Sequence, residues 1–591
     1  MAKVAILGGG VGGLSAAHEL IERGYEVHVY EGSGMLGGKA SSQLLGGTGA
    51  GGRGDLPGEH GFRFYPGFYR HLTDTMSRII PDPDRPDHRV LHRLVASDEA
   101  GIAENDGDTI HTFSRRPMAD PRDIVGTFTE AFETIRADEA DVARFGWQCL
   151  VYLTSCRERR VGEYTQISWW DFLEAHEFTP GFQGYVRAIP RTMVAMDPRR
   201  GAAKTIGDIS MQLLLDFGER AADNDRTMDG PTSERWIDPW VGHLRRLGVH
   251  FHTGKPVIGL EMDGARLRSA TLKGGETIEA DWFVAALPLE VMHGLISDEV
   301  AKAAPGLARF RTIDPAWMTS WMVGAQYWLK TDRPIVRGHM FFPDSEWALT
   351  AISQAQFWKQ SGPAYEDRYG DGAVHGVLSV DISDWFEPSR HTGLKAAETT
   401  SRDEVLDEIW RQLKVGLNGL GELVVRDEDV LHRHLDSGIV FPGGGAHPIN
   451  KTPLLVHPPG SHGYRPPPAT AIDNLLIASD YAQTETDLAS MEGANEAARR
   501  AVNALLDRDH NETAPRCALW PLEEPRAFNA AKRLDRELYE RGLPHYLDKL
   551  DDLGEIGAGL PKRLLDRVRP RRGMGWLRAA QDRLLALGDW D

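Results

Sequence analysis

The sequence predicts an α/β fold in which a parallel sheet, assembled from separated blocks of chain, is interleaved with an α+β domain and followed by a helical extension. Three observations carry that expectation. A short apolar run, a glycine-rich turn, a helix and a second apolar run open the chain in that order. Strand-like apolar runs return near residues 283 and 476, and the stretches between them alternate helical periodicity with aromatic-rich strand patterns. The 591 residues suffice for several cores.

Lys3–Leu7 reads as a buried parallel strand, with no secretion-type segment before it. Gly8, Gly10 and Gly13 then occupy the three positions of G-x-G-x-x-G, with Gly12 in the same turn. Each type of position has its own reason: a tight turn at Gly8, backbone approach to a pyrophosphate at Gly10, helix packing at Gly13. Leu14 to Arg23 reads as a helix whose positive end faces the diphosphate, stopped by Gly24. A second strand, Glu26 to Tyr30, ends in Glu31, where a carboxylate accepts the hydroxyls of an adenosine ribose. This is a Rossmann-type dinucleotide site. An acid rather than a base at Glu31 disfavours a 2′-phosphate.

Composition excludes other classes. No apolar run approaches the ~20 residues that cross a bilayer. Lys and Arg number 67 against 86 Asp and Glu, a formal charge of −19, which repels nucleic-acid backbones. Three cysteines without Cys-x-x-Cys spacing disfavour a disulfide scaffold or thiolate zinc site and fit a cytoplasmic protein. His432 with His434, and His250 with His252, share strand faces but lack a third ligand at metal spacing, so no metal is expected.

A second glycine cluster, Gly37-Gly38-Lys39, follows Glu31 and resembles the second fingerprint of the FAD-dependent amine oxidase and carotenoid desaturase superfamily. Further segments match the same pattern. Val257 stands where that family's strand meets the adenine, and Ala280–Pro288 is similar to its returning strand and turn. Leu475–Tyr481 with Ala489–Ala494 resembles the flavin end of phytoene and ζ-carotene desaturases and hydroxysqualene dehydroxylases. The resemblance implies FAD as cofactor, held by Gly8, Gly10, Gly12, Gly13, Glu31, Gly37, Gly38, Lys39, Val257, Asp480, Met491 and Glu492. Ser479 departs from the family's glycine before the acid.

Catalytic candidates come from the segment Gly58–Tyr69, which resembles the stretch under the flavin ring. Arg63 stands where those desaturases carry histidine. A guanidinium cannot shuttle protons near pH 7 but can pair with a carboxylate or stabilise reduced flavin, which points to an oxygenated or acidic substrate. His60 is the nearest proton carrier, Arg465 echoes an Arg-Pro before the last strand, and Tyr481 is a candidate wall of an amine-oxidase-like aromatic cage.

The blocks 1–105, 236–300 and 440–507 are assigned to the FAD-binding domain, 106–235 and 301–439 to a substrate domain, and 508–591 to the extension. Helices are expected at 123–136, 139–156, 169–176 and 206–217, and strands over 315–385, where tryptophans and phenylalanines concentrate. Residues 561–583 are basic and amphipathic, suited to packing or to peripheral membrane contact. A homo-oligomer is left open. The leading function is desaturase-like oxidation of a large apolar small molecule. Flavin amine oxidation is the alternative, and a non-catalytic prenyl-binding carrier the remote one.

Overall fold

The computed structural model describes residues 2–97, 99–104, 110–114, 137–215, 225–358, 363–418 and 424–547. Five parallel strands form the first sheet, in the spatial order Leu475–Ile477, Trp282–Ala285, Lys3–Leu7, Glu26–Tyr30, His250–His252. Val4 to Leu7, in the middle, are fully buried, because a parallel sheet is covered on both faces and its strands read apolar at every position. Helices Val11–Ile21, Asp238–Leu247 and Met491–Arg508 cover one face. The other packs on short helices between 289 and 310 and an antiparallel sheet of Val257–Asp263, Arg266–Leu272 and Thr277–Glu279.

A seven-stranded sheet runs Val430–Leu435, Val323–Leu329, Gly376–Ile382, Leu349–Ser353, Gly338–Phe341, Glu99–Ala103, Ile110–Ser114. Glu99–Ala103, at the end of the block read as 1–105, therefore pairs in this second sheet, parallel to Gly338–Phe341. Helix Arg402–Leu417, capped by the Ser401 hydroxyl on Glu404 N, packs Ile409 and Leu413 on one face of it. The opposite face meets the segment after strand Leu56–Glu59: Glu59 N donates to Gln326 Oε1 at 3.2 Å and Gly324 N to His60 O at 2.8 Å. Most of the concentrated aromatics are core. Trp328, Trp347 and Trp385 are fully buried, whereas Phe386 is half exposed.

Helices Glu139–Thr154 and Ala203–Leu215 lie where the periodicity puts them, and the expected helix 123–136 lies outside the described residues. Pro180–Val194 was not anticipated, since two glycines and Pro190 break its pattern; Thr179 caps it and Pro180 opens it. The extension runs as an irregular segment over the helices that flank the cofactor sheet, with Trp520 N donating to His71 Nε2 at 3.0 Å and Cys517 N to Asn503 Oδ1 at 2.7 Å. It then forms helix Asn529–Glu540. There Asp535, fully buried, accepts from Arg159 Nε at 2.9 Å and Cys156 N at 2.8 Å, which pins the extension to the helical layer. Residues 561–583 lie outside the described residues. Among those described, no helix is long and apolar enough to cross a membrane.

Candidate active site

The two glycine clusters lie side by side. Gly37 N donates to Gly9 O at 2.8 Å, and Gly10 and Gly37 form a parallel bridge. Their glycines are there for different neighbours. A Cβ on Gly8, at φ +108°, would sit 2.3 Å from Ala286 O; on Gly12, 2.1 Å from Ala478 O; on Gly13, 2.0 Å from Gly8 O. These three let the helix Val11–Ile21 seat directly on the strand ends. Gly10 differs: a Cβ there meets only Gly38 Cα, at 3.8 Å. No protein packing demands glycine at position 10, so the open space is left for a ligand backbone.

Glu31 ends its strand with both carboxylate oxygens engaged, accepting from Gly9 N at 2.8 Å and Ser33 N at 2.7 Å. These bonds fix its orientation and leave lone pairs for ribose hydroxyls. Val257 begins a strand nearby, where Lys255 N donates to Glu31 O at 2.8 Å. At the other end of the groove, Asp480 follows the strand Leu475–Ile477. Burial raises its carboxyl above the ordinary value, opposed by the neighbouring Lys39, and the Ser479 hydroxyl lies 3.3 Å from Oδ1. Lys39 Nζ also donates to Pro453 O. Met491 opens the helix Met491–Arg508, which Ser490 Oγ caps by accepting from Gly493 N at 3.1 Å. The free first-turn N–H groups and the dipole of such a helix favour a negative charge.

Four of the sequence-derived candidates do other work. The Glu492 carboxylate is buried and accepts from His71 N and Leu72 N, each at 2.8 Å, and pairs with His71 Nδ1 at 2.6 Å. It caps the helix Arg70–Arg78, so only its backbone remains for the cofactor. Arg465 is 2% exposed and pairs with Asp487, which also takes Lys204 Nζ at 2.9 Å. Burial opposes ionisation of Asp487, but Arg465 and Lys204 outweigh it and hold the carboxyl well below the ordinary range. Arg465 belongs to an internal ion cluster behind the flavin-end loop, not to a substrate face. Tyr481 is fully buried and stacks on Phe310, ring centroids 5.1 Å apart, so it walls no aromatic cage. The guanidinium of Arg63 donates to the carbonyls of Gly61 and Lys39.

Arg63 also stands beside two buried carboxyls, Glu59 and Asp381. Burial raises both above their ordinary values, Asp381 to about 7, and Arg63 opposes the rise. Asp381 Oδ1 has no hydrogen-bond partner. His60 pairs through Nδ1 with Asp436; burial there works against the charge, yet the His60 bond holds Asp436 below the ordinary carboxylate range. Sequence reasoning missed Asp381 and Asp436. The signal for Asp381 was a lone charged residue in the otherwise uncharged, mostly apolar strand Gly376–Ile382.

A glycine-lined turn with ligand space at Gly10, a fixed ribose acid, a second glycine cluster facing the first, and a distant buried acid beside a helix start together fit FAD, and they define a flavin-dependent oxidoreductase. Comparison with known proteins narrows this. The profile described as "flavin containing amine oxidoreductase" matches residues 11–506, and the chain belongs to that family. It is 25% identical over 529 residues to the 15-cis-phytoene desaturase of Synechococcus elongatus, covering 86% of this chain and 96% of that one. It is 38% identical over 90 residues to the flavin-dependent L-tryptophan oxidase of Lentzea aerocolonigenes, 15% of this chain and 18% of that one. Cyclohexylamine oxidase from Brevibacterium oxydans shares the fold, with a TM-score of 0.55 at 13% identity, covering 86% of this chain and 99% of that one.

Proposed function

We propose that the protein oxidises a carbon centre of a large, mostly apolar molecule, isoprenoid or polyene in character and bearing an oxygenated or acidic group. FAD, when bound, supplies the two-electron acceptor for hydride leaving carbon. The chain contributes binding, orientation and charge. Gly10 and Gly38 admit the cofactor backbone, and Glu31 and Asp480 accept its hydroxyls. The N-terminus at Met491 favours the negative charge that accumulates on reduction. His60, fixed by Asp436, and the buried Asp381 carboxyl, whose Oδ1 has no hydrogen-bond partner, are the polar groups available to orient substrate and hold the accompanying proton. Peripheral membrane contact through residues 561–583 suits a lipid-soluble substrate.

The observation that carries this reading is the likeness to phytoene desaturase over nearly the full length of both chains. Amine oxidation is the second reading, favoured by the short but closer match to the tryptophan oxidase. Anaerobic mixing of the FAD-loaded protein with polyenes, polyene carboxylic acids and a panel of amines separates them. Flavin bleaching by polyenes supports the proposal; bleaching by amines alone overturns it.

A further inference from the structure

Residues 508–547 lie beyond the family match, which ends at residue 506, yet their first half is built into the cofactor domain. Cys517 belongs to the core that the first sheet shares with helices Val11–Ile21 and Met491–Arg508, and Ala514 and Leu522 pack against it. Three helices meet under this segment. Val11–Ile21 and Met491–Arg508, whose first turns face the cofactor, touch at their starts: a Cβ on Gly12 would stand 3.7 Å from Ala494 O. Asn495 Nδ2 then donates to Ser15 Oγ at 2.9 Å on the first of them and to Thr75 Oγ1 at 3.0 Å on helix Arg70–Arg78. Its Oδ1 accepts from Arg499 Nε at 2.9 Å, so the amide is engaged at both ends.

The extension holds this junction at two points. Arg499, 1% exposed, donates to Asp74 Oδ2 at 2.6 Å, Thr75 Oγ1 at 2.9 Å and the His71 carbonyl at 3.0 Å. To this the extension adds the Ala518 carbonyl at 3.3 Å and the face of Trp520, whose ring centre lies 5.3 Å from the guanidinium carbon. The second point is His71, which the Trp520 ring meets edge-on at 5.2 Å. The Trp520 amide donates to Nε2, so the lone pair lies there and the proton sits on Nδ1, which donates to Glu492 Oε1 at 2.6 Å. Glu492 is the second residue of the flavin-end helix. A backbone amide from outside the family's boundaries thus selects the tautomer that fixes the first turn of a cofactor helix.

We propose that residues 514–524 form a clasp that sets the relative position of the two cofactor-facing helix starts, with Trp520 as its positioning residue, and so tunes how tightly FAD is held and how readily it is reduced. The proposal rests on the FAD assignment and is independent of the substrate.

Trp520→Ala keeps the amide and removes the ring, and Trp520→Phe restores an aromatic face. FAD affinity is read by flavin-fluorescence titration of the stripped full-length protein, and the two-electron potential by spectroelectrochemistry. Trp520→Ala should bind FAD at least ~5-fold more weakly. Reduced flavin should lose at least ~3-fold more than oxidised flavin, a fall of about 15 mV, because a displaced helix start favours the added negative charge less. Trp520→Phe should recover most of both. Leu413→Ala opens a cavity between helix Arg402–Leu417 and the second sheet, which destabilises the fold away from either helix start, and should change neither. Wild-type affinity or potential in Trp520→Ala, a Trp520→Phe that recovers neither, or the same losses in Leu413→Ala overturns the proposal. A measurement on the wild type depends on no variant folding. Coupling is reciprocal, so a clasp that tightens FAD is tightened by FAD to the same degree. Hydrogen exchange across 514–524 should therefore slow at least ~5-fold on FAD loading, and exchange indifferent to FAD also overturns the proposal. Wild-type protein that takes up no FAD would strike the cofactor assignment itself, a failure distinct from these.

Discussion

Alanine at position 10 and alanine at position 13 should fail in opposite ways. Gly13 lies within a helix, where alanine gains about 1 kcal/mol of propensity. Its Cβ, however, would stand 2.0 Å from the Gly8 carbonyl oxygen, both backbones locked between strand and helix. Overpacking of that kind costs about 1–3 kcal/mol and more where nothing can move, so the flavin-stripped Gly13→Ala protein should be destabilised by about 1–2 kcal/mol. Gly10 has φ −77° and ψ −173°, angles any residue adopts, and its Cβ meets nothing closer than 3.8 Å. Gly10→Ala should therefore leave the stripped protein as stable as before, or more so by about 0.4–1 kcal/mol. With FAD the order reverses, because the methyl group takes the space of the diphosphate; affinity should fall at least ~10-fold, about 1.4 kcal/mol. Thermal unfolding with and without FAD, together with a flavin-fluorescence titration, reads both effects. Wild-type affinity in Gly10→Ala, or wild-type stability in stripped Gly13→Ala, refutes the assignment of the two glycines.

Burial holds the Asp381 carboxyl up to about 7, so its contribution to stability is complete below its unfolded value near 3.8 and is lost as pH rises through about 7. The loss reaches about 4 kcal/mol, and Asp381→Asn, which escapes it, should gain on the wild type between about pH 4 and about pH 8 in urea melts; a pH-independent difference contradicts this. Asp535→Ala strips the buried Arg159 of a partner and should cost about 3–5 kcal/mol, read as faster proteolysis within 520–547; an unchanged cleavage rate means the extension is held elsewhere. Arg465→Gln leaves Asp487 with Lys204 at 2.9 Å, so stability should drop by about 1–3 kcal/mol while turnover per bound flavin stays unchanged. A selective loss of turnover would return Arg465 to the active site.

The cofactor groove was legible because its chemistry is written in backbone. Close approach requires glycine at fixed local spacing, and a ribose acid must follow its strand, so Gly8 to Glu31 could be assigned from thirty residues. Side-chain roles set by distant partners were not legible. Arg465 turns inward because the Asp487 carboxylate meets it there, Tyr481 because Phe310 offers a stacking face, and Glu492 because helix Arg70–Arg78 needs a cap. None of these partners is sequence-adjacent. Helix Pro180–Val194 went unseen for a local reason, its glycines and proline diluting the apolar period.

The first sheet carries a consequence for how the protein is made. Strand Lys3–Leu7 and helix Val11–Ile21 leave the ribosome some 470 residues before strand Leu475–Ile477, which extends their sheet, and helix Met491–Arg508, which packs on Val11–Ile21. At about 5–20 residues per second that is roughly half a minute to a minute and a half of translation with the apolar fingerprint helix lacking its partner. The nascent chain must be shielded through that interval, and FAD can be captured only after the helix Met491–Arg508 has been made. Chaperone supply and flavin availability at that moment, more than the thermodynamic stability of the finished fold, should therefore set the yield of active protein.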